Sequence, residues 1–315
     1  MASDAFDTFD AGRAGFSVRV RGEVNPYRVL AVSVLPGERL PIEVVGARGG
    51  ASPSDSFELV DRSVDDSGLV VGHFEPGTGR RVSWTAPRTP GLVPLEIRQV
   101  GGELRMTFHA LVLVPFAEVH DGKLKGYRIG SYPATPLRGL AVYRKPRGFI
   151  EVTEDLLDLE VSPHFRLRQF LCKQEGGWPR YVILRERLLL KLEYLLQVVN
   201  AKGYRASTFA VLSGFRTPWY NRAIGNVQYS RHQWGGAADI FIDESPRDGR
   251  MDDLNGDGRV DARDANLLYD LFDGLGVRED YTTQFTGGLG KYGPSPVRGP
   301  FVHVDARGYR ARWGR

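Results

Sequence analysis

Hydrophobic and polar residues alternate along the first third of the chain. Alternation of this kind sends successive side chains to opposite faces and is typical of half-buried strands. About seven such segments fill residues 16–117, and Pro-Gly or Gly-Gly pairs separate several of them. The pattern predicts an antiparallel β-sandwich, immunoglobulin-like in architecture, and its lack of clustered catalytic residue types favours a binding or spacer module. The segments begin at Phe16, Tyr27, Leu40, Phe57, Arg81, Val93 and Leu104.

The segments that flank this sandwich have a different pattern. Residues 1–15 are predicted to be disordered. Residues 118–160 consist of short apolar pieces separated by glycine and proline, with several tyrosines. This composition differs from that of a flexible Gly/Ser tether and predicts an ordered connector.

The second half of the chain contains one clear helical pattern. Apolar residues recur at steps of four, four, three and four, which places them on one helical face. The spacing predicts a helix over residues 183–201, followed by a strand that begins at Phe209. We therefore expect residues 161–315 to form an α+β domain with a small antiparallel sheet. The apolar positions are Leu184, Leu188, Leu192, Leu195 and Val199.

Length and composition agree with a multidomain globular protein. The chain has 315 residues, or about two domains at roughly 150 residues each. Hydrophobic residues are 42% of the chain and charged residues 25%, so a disordered chain is excluded. A single cysteine, Cys172, excludes an intrachain disulfide and a cysteine-based metal site. No apolar run approaches the roughly 18 residues of a transmembrane helix.

Charge gives only a weak indication of the partner. The chain has 42 basic and 38 acidic residues, for a net charge of +4, which slightly favours an anionic partner. No run of five to eight Lys or Arg residues is present, so we expect no nucleic-acid partner. The small excess of basic residues is interpreted as part of a solvated surface.

Two sequence blocks in the second half carry residues suited to catalysis. The first, SGFRTPWYN, leaves the predicted strand and enters a short helix, where Thr217 can cap the helix and Pro218 suits its first turn. The second, SRHQWGGAADIFID, places His232 on a loop and Asp239 on a strand. Much later, FVHVD predicts another short strand, which carries His303.

Two histidines and one carboxylate form a ligand set of catalytic zinc sites. Together with GGLGKY and FVHVDARGYRARW, the blocks resemble the zinc D-alanyl-D-alanine peptidase family. That family includes D-Ala-D-Ala carboxypeptidases, murein endopeptidases and phage endolysins, and it shares its metal-site geometry with lysostaphin-type enzymes. The ordered blocks span about residues 209–313, and the ending looks most like that of the murein endopeptidases.

The resemblance implies roles for particular residues. It implies that His232, Asp239 and His303 bind zinc. Arg216 would hold a carbonyl or carboxylate of the peptide and stabilise a developing oxyanion, as a fixed cation can. The expected lining of the substrate groove is Ser230, Trp234, Tyr292 and Trp313.

One position departs from the family pattern. Many members carry the general base, Asp or Glu, three residues before the last ligand, and here that position is Pro300. Strand alternation puts Asp305 on the same face as His303. Asp305 is therefore either the general base or the carboxylate that orients a ligand histidine. Asp243 is a lesser candidate for the base.

A second metal signature lies between the zinc blocks. The segment DLNGDGRVDARD places oxygen ligands at the spacing of an EF-hand loop, with Gly258 at the sharp turn. Aspartate at the last position resembles the calcium loop of dockerin modules. The spacing predicts a structural Ca²⁺ site within an insertion at about residues 245–275. Its ligands would be Asp253, Asn255, Asp257, Asp261 and Asp264, with the backbone carbonyl of Arg259.

The expected function is zinc-dependent hydrolysis of peptide bonds in peptidoglycan, with an endopeptidase favoured. Alternatives are a D-Ala-D-Ala carboxypeptidase or dipeptidase on free stem ends, and a non-catalytic cell-wall-binding protein that retains zinc. Such a substrate lies in the periplasm or cell envelope. We therefore expect an exported protein whose leader is absent from this sequence, because residues 1–15 lack the signal-peptide pattern.

Overall fold

The computed structural model describes residues 9–46, 54–64, 68–74 and 80–314 of the chain. Most of the regular structure in these ranges is β, arranged in several sheets, and four α-helices accompany it. None of these four helices has the length and apolar character needed to cross a membrane. The predicted β-rich, multidomain character of the chain agrees with this architecture.

The N-terminal part contains two sheets. In strand order these are β2-β1-β4-β7 and β3-β9-β8-β5-β6. Neighbouring strands are antiparallel except for β3 and β9, which run parallel, so the sheets are not purely antiparallel as predicted. The strands are β1 (Arg13–Val20), β2 (Glu23–Tyr27), β3 (Val29–Val34), β4 (Arg39–Val45), β5 (Phe57–Asp61), β6 (Leu69–Phe74), β7 (Arg81–Thr85), β8 (Gly91–Gln99) and β9 (Arg105–Val112).

Both sheets contribute to one hydrophobic core. Phe16 and Leu40 from the first sheet and Phe57 and Phe108 from the second are fully buried in the same cluster. The rings of Phe16 and Phe57 lie 4.7 Å apart between their centroids. This is the face-to-face packing that the alternating pattern predicts, because each strand sends every second side chain inwards.

Part of the N-terminal segment predicted to be disordered has a defined structure. Strand β1 starts at Arg13, Asp10 forms an ion pair with Arg28, and the ring of Phe9 stacks on that of His164 at 5.0 Å. The predicted disorder over residues 1–15 therefore does not apply to residues 9–15. Residues 1–8 lie outside the described ranges.

The segment predicted as a connector belongs to the second hydrophobic core. Leu124, Ile129 and Phe149 are buried in the same cluster as Leu192 of the long helix. Strand β13 pairs with β10 on one side and β16 on the other. The segment is thus part of the C-terminal unit. Its strands and their partners are β10 (Val114–Pro115), β11 (Lys123–Leu124), β12 (Tyr127–Arg128), β13 (Gly148–Val152), β14 (Glu160–Ser162), β15 (Phe165–Arg166) and β16 (Arg180–Val182).

The helical pattern predicts the long helix to within three residues. Helix α1 spans Glu186–Ala201, and its apolar face, including Leu188 and Leu195, is fully buried. Helix α2 begins at Pro218, and the hydroxyl of Thr217 caps it by accepting from Tyr220 N at 3.1 Å, as predicted. The remaining helices are α2 (Pro218–Ala223), α3 (Ala262–Gly274) and α4 (Glu279–Phe285).

A five-stranded sheet forms the centre of the C-terminal unit. Its order is β17-β18-β20-β19-β21, and every pair is antiparallel except β19 with β21. The predicted small antiparallel sheet is therefore present with one parallel edge. The strands are β17 (Ala210–Ser213), β18 (Ala237–Phe241), β19 (Gly288–Tyr292), β20 (Phe301–Asp305) and β21 (Ala311–Gly314).

The sandwich packs directly against helix α1. Tyr27 of the sandwich is buried in the core of the C-terminal unit, and its hydroxyl accepts from Gln197 Nε2 at 2.7 Å. Arg187 Nε donates to Glu23 Oε1 at 2.8 Å beside this contact. Apolar burial and polar pairs thus join the two parts along one face of the helix.

The turn before β18 depends on Gly235. This residue has a φ of +62°, and a Cβ built on it would lie 2.1 Å from the carbonyl oxygen of Ile183. The carbonyl of Gly235 also accepts from Arg185 N at 3.0 Å. Glycine is needed there both for the left-handed backbone and for the close approach of the two chain segments.

We expect Gly235→Ala to destabilise the protein more than Gly225→Ala does. Gly225 has a similar φ of +69°, but a Cβ there meets nothing within 4 Å. The control should therefore lose about 1–2 kcal/mol for the left-handed backbone alone. Gly235→Ala should lose about 1–3 kcal/mol more because of the added clash. Denaturant unfolding of both variants measures the difference, and equal losses would contradict this account.

Candidate metal centre

Strand pairing brings two of the predicted metal ligands together. Asp239 on β18 lies directly opposite His303 on β20 in the antiparallel register. Directly opposed residues in such a pair have Cβ atoms about 4.5–5.5 Å apart. His232 lies in the 3-10 turn Arg231–Trp234, which leads into β18. Residues 71 positions apart in the sequence thereby meet.

The three side chains form a small, buried triangle. Asp239 Oδ1 lies 2.8 Å from His303 Nδ1 and 3.3 Å from His232 Nε2, and the two nitrogens are 3.2 Å apart. Adjacent ligands of a tetrahedral zinc are roughly 3.4 Å apart, given bonds of about 2.0–2.2 Å. Within the described ranges, this is the group of His, Cys, Asp or Glu side chains whose ligand atoms lie close enough together to hold a metal ion.

Outer hydrogen bonds fix which ring nitrogens face the centre. His232 Nδ1 lies 2.6 Å from the carbonyl oxygen of Gly214, which only accepts. His303 Nε2 lies 3.2 Å from a carboxylate oxygen of Asp305, which also accepts. These outer nitrogens therefore carry the protons, and the inner nitrogens present lone pairs. Three acceptors face one point, and such an arrangement requires a cation, either a metal ion or a proton on one imidazole.

The charge state of the ligands suits a cation. Burial lowers the pKa of His232, so its imidazole is neutral near pH 7. Burial acts against protonation of His303 as well, but hydrogen bonds to Asp239 and Asp305 outweigh it and raise the pKa of His303. Burial would raise the pKa of Asp239, yet the two histidines hold it well below its usual value. Asp239 is therefore anionic.

Arg216 lies immediately beside the triangle. Its Nη2 donates to Asp239 Oδ2 at 2.6 Å, and its Nε donates to Ser213 Oγ at 2.8 Å. The residue is 9% exposed and borders the same cleft as the ligands. Arg216 thus braces Asp239 and places a fixed cation next to the candidate metal centre.

The contacts of Asp305 favour an orienting role over that of general base. Its Oδ1 accepts from Gly288 N at 2.8 Å, and its Oδ2 accepts from Arg307 Nη2 at 2.5 Å and faces His303 Nε2. The carboxylate therefore contacts the outer nitrogen of His303, opposite the nitrogen that faces the triangle. Burial would raise the pKa of Asp305, but His303 and Arg307 lower it far below its usual value. Of the two roles predicted for Asp305, general base or orienting carboxylate, these contacts fit the orienting role better.

The other position considered for the base is also occupied by local contacts. Asp243 accepts from Asp248 N at 2.9 Å and from Gly249 N at 3.0 Å. It stabilises its own loop and is not among the residues that line the cleft.

A cleft of about 700 Å³ opens over the three ligands. Ser230, Tyr292 and Trp313, three of the residues expected at a substrate groove, line this cleft. Trp234 does not, because its side chain is fully buried and its indole N–H donates to the carbonyl of Arg144 at 3.0 Å. Aromatic packing against Tyr143, with ring centroids 5.2 Å apart, explains this tryptophan.

Sequence patterns missed several other residues of the cleft. Arg307 and Tyr309 lie within the final sequence block, so they were recognisable as parts of a motif. Arg298 lies in the loop between β19 and β20, and Tyr143 belongs to the segment predicted as a connector. No local pattern marks these two, because they reach the cleft only through tertiary packing.

The predicted calcium loop has its expected helix but does not gather its carboxylates. Helix α3 follows the loop, and Gly258 has a φ of +81°. Asp264 is buried and accepts from Leu254 N and Asp261 N, both at 2.8 Å. Arg263 pairs with Asp257 and Asp261. All residues of this loop are described, and no three of its carboxylates lie within 4.8 Å of one another.

Comparison with known proteins does not identify a function for this chain. A scan against descriptions of protein families finds no match to this chain, and a search of curated proteins finds none either. The triangle of His232, Asp239 and His303 is therefore the principal guide to function.

We expect Asp305→Asn to weaken metal binding without abolishing it. An amide cannot replace the charged acceptor at His303 Nε2, and loss of such an orienting carboxylate costs about 10- to 100-fold in affinity. Competition against a chelator, monitored with Zn²⁺ or Co²⁺, measures the change. Asp243→Asn is the control and should bind metal like the parent chain. Unchanged affinity in Asp305→Asn would show that this carboxylate does not orient the ligand.

Proposed function

We propose that this protein is a zinc-dependent metallopeptidase that hydrolyses peptide bonds in peptidoglycan stem peptides or cross-links. The supporting observation is a buried triangle of two histidines and one aspartate, of zinc-binding size, at the floor of an open cleft. Two histidines and a carboxylate are a ligand set of zinc peptidases, and three protein ligands leave one position open.

The fit to zinc is supported by the donor set. The inner nitrogens of both imidazoles and Asp239 Oδ1 lie close together around one point, and an acceptor holds each imidazole by its outer nitrogen. When bound there, zinc would polarise a substrate carbonyl and lower the pKa of a bound water. The protein residues hold the ligand atoms in place and exclude bulk water from them, since all three ligands are buried.

Arg216 is the proposed stabiliser of negative charge. Its guanidinium donates one hydrogen bond from Nη2 to Asp239 and one from Nε to Ser213. A guanidinium has five N–H donors, so further donors are available to a substrate carbonyl oxygen as that oxygen gains charge. The pair with Asp239 keeps the side chain in place before substrate arrives.

The scarcity of carboxylates in the cleft supports one alternative function. Among the described residues that line it, Asp239 is the sole carboxylate, and Asp239 is a metal ligand. Pro300 stands where a base is usual, and Asp305 is engaged elsewhere. This combination supports, as a second candidate, a zinc-containing protein that binds the cell wall without cleaving it.

The N-terminal sandwich is proposed to bind the wall or a partner, or to act as a spacer, with immunoglobulin-like architecture. Its packing against α1 supports a fixed position relative to the C-terminal unit. The proposed substrate also implies an extracytoplasmic location.

Digestion of purified peptidoglycan tests the proposal. We expect the zinc-loaded chain to release fragments whose masses show hydrolysed peptide bonds, and cross-linked dimers distinguish an endopeptidase from an enzyme acting on free stem ends. Arg216→Met should lower turnover by about 100- to 1,000-fold, as loss of an oxyanion donor does. Arg222→Met, on the exposed face of α2, should leave turnover unchanged.

The zinc content of each variant is measured alongside turnover. An inactive parent chain that holds one zinc and sediments with peptidoglycan would support the non-catalytic candidate. A parent chain that neither cleaves nor binds peptidoglycan would contradict both.

We also propose that the Asp253–Asp264 loop binds one Ca²⁺ with a structural role. The spacing of its oxygen ligands and the positive φ of Gly258 support this. Calcium at 100 times its dissociation constant should stabilise the fold by about 2.7 kcal/mol. Thermal unfolding with and without calcium measures this shift. The shift should vanish in Asp253→Ala and persist in Asp270→Ala on α3, and a calcium-insensitive parent chain would reduce the loop to an acidic turn.

A further inference from the structure

The cleft over the metal centre carries a marked excess of positive charge. Four arginines line it, against the single carboxylate of Asp239 among the described residues. Two of the arginines are paired, Arg216 with Asp239 and Arg307 with Asp305. Within the described ranges, neither Arg231 nor Arg298 has an acidic side chain at salt-bridge distance.

Arg231 is a buried cation that lines the cleft, without a carboxylate at salt-bridge distance among the described residues. The residue is 1% exposed, and its Nη1 donates to the carbonyl of Val142 at 2.6 Å. Its Nε and Nη2 are buried without a hydrogen-bond partner. The ring of Tyr143, 4.8 Å from the guanidinium, and the charge of Asp305 offset part of the unfavourable burial, and an anion in the cleft would offset more of it.

Arg298 is partly buried and lies over two aromatic rings. Its guanidinium lies 4.4 Å from the centre of the Phe301 ring and 5.6 Å from that of Tyr292. Its Nη1 donates to the carbonyl of Gly293 at 3.5 Å, the outer limit of hydrogen-bond distance. The side chain is therefore pre-positioned, while most of its donors remain available to a ligand.

Another part of the cleft wall is apolar. Ile224 and Val227, in the segment between α2 and the turn that carries His232, line the cleft and are 47% and 69% exposed. Exposed aliphatic side chains beside a polar site are typical of contact surfaces for an apolar ligand group. The cleft thus offers separate contacts for a negative and an aliphatic group.

We propose that Arg298 determines specificity by binding a carboxylate of the peptide substrate, while Ile224 and Val227 contact a neighbouring aliphatic side chain. The ligand is an acidic peptide, and its peptide nature rests on the proposed peptidase function. A planar guanidinium suits a carboxylate because it forms two parallel hydrogen bonds with it. Arg231 adds positive potential at the base of the same cleft.

The carboxylate can come from the chain terminus or from an acidic side chain, and three peptides distinguish the two. They are N-acetyl-D-alanyl-D-alanine, with a free terminus; N-acetyl-D-glutamyl-D-alanine amide, with a side-chain carboxylate only; and N-acetyl-D-alanyl-D-alanine amide, with neither. Calorimetric titration of the zinc-loaded full chain gives the affinities. Mass spectrometry of each titrated peptide records cleavage separately, so failure of the peptidase proposal and failure of this inference give different results.

We expect one of the two acidic peptides to bind about 10- to 100-fold more tightly than the neutral one, as a charge-assisted hydrogen bond implies. This preference should disappear in Arg298→Gln, remain in part in Arg298→Lys, and be unchanged in Arg222→Gln. Circular dichroism confirms that each variant is folded. Equal affinity of the parent chain for all three peptides, or a preference that survives in Arg298→Gln, would overturn the proposal.

Discussion

The antiparallel pairing of β18 with β20 is the constraint on which the site depends. It sets Asp239 opposite His303, while the neighbouring residues Ile240, Val302 and Val304 turn inwards and are fully buried. A slip of one residue would send both ligands into the core and the apolar side chains into the cleft. The free energy of burying those three aliphatic residues therefore also holds the ligands in register.

Buried residues of the core also fix the outer contact of His303. Asp305, at the end of β20, orients His303, and its backbone carbonyl accepts from Lys191 Nζ at 2.8 Å. Lys191 lies on α1 and also donates to the carbonyl of Phe285 at the end of α4. Burial lowers the pKa of Lys191 to about 8, because the nearby carboxylate of Asp305 only partly offsets the loss of solvation. The long helix thus helps to position a residue of the candidate metal centre.

Local sequence patterns predict those strands and helices whose formation depends on the burial of one face. Alternation located the central strands of the sandwich, and a helical period located α1, because burial of one face dictates both. The edge strands β2 and β6 were missed, since β2 contains Pro26 and edge strands are only partly buried. The ligand triangle is predicted through a resemblance. Trp234 is predicted at the groove but packs in the core, because its partners Tyr143 and Arg144 are distant in the sequence.

The electrostatics of the cleft suit stabilisation of negative charge better than acceptance of a proton. Positive charge from Arg216, Arg231 and Arg298 favours an oxyanion and a carboxylate, but it also lowers the basicity of any group nearby. Tyr143 cannot serve as an alternative base, because burial raises the pKa of its hydroxyl above the usual value and keeps it protonated. The positive charge of the cleft therefore disfavours proton uptake by any acceptor within it. This is the physical reason why substrate binding and substrate cleavage have to be measured as separate properties of this protein.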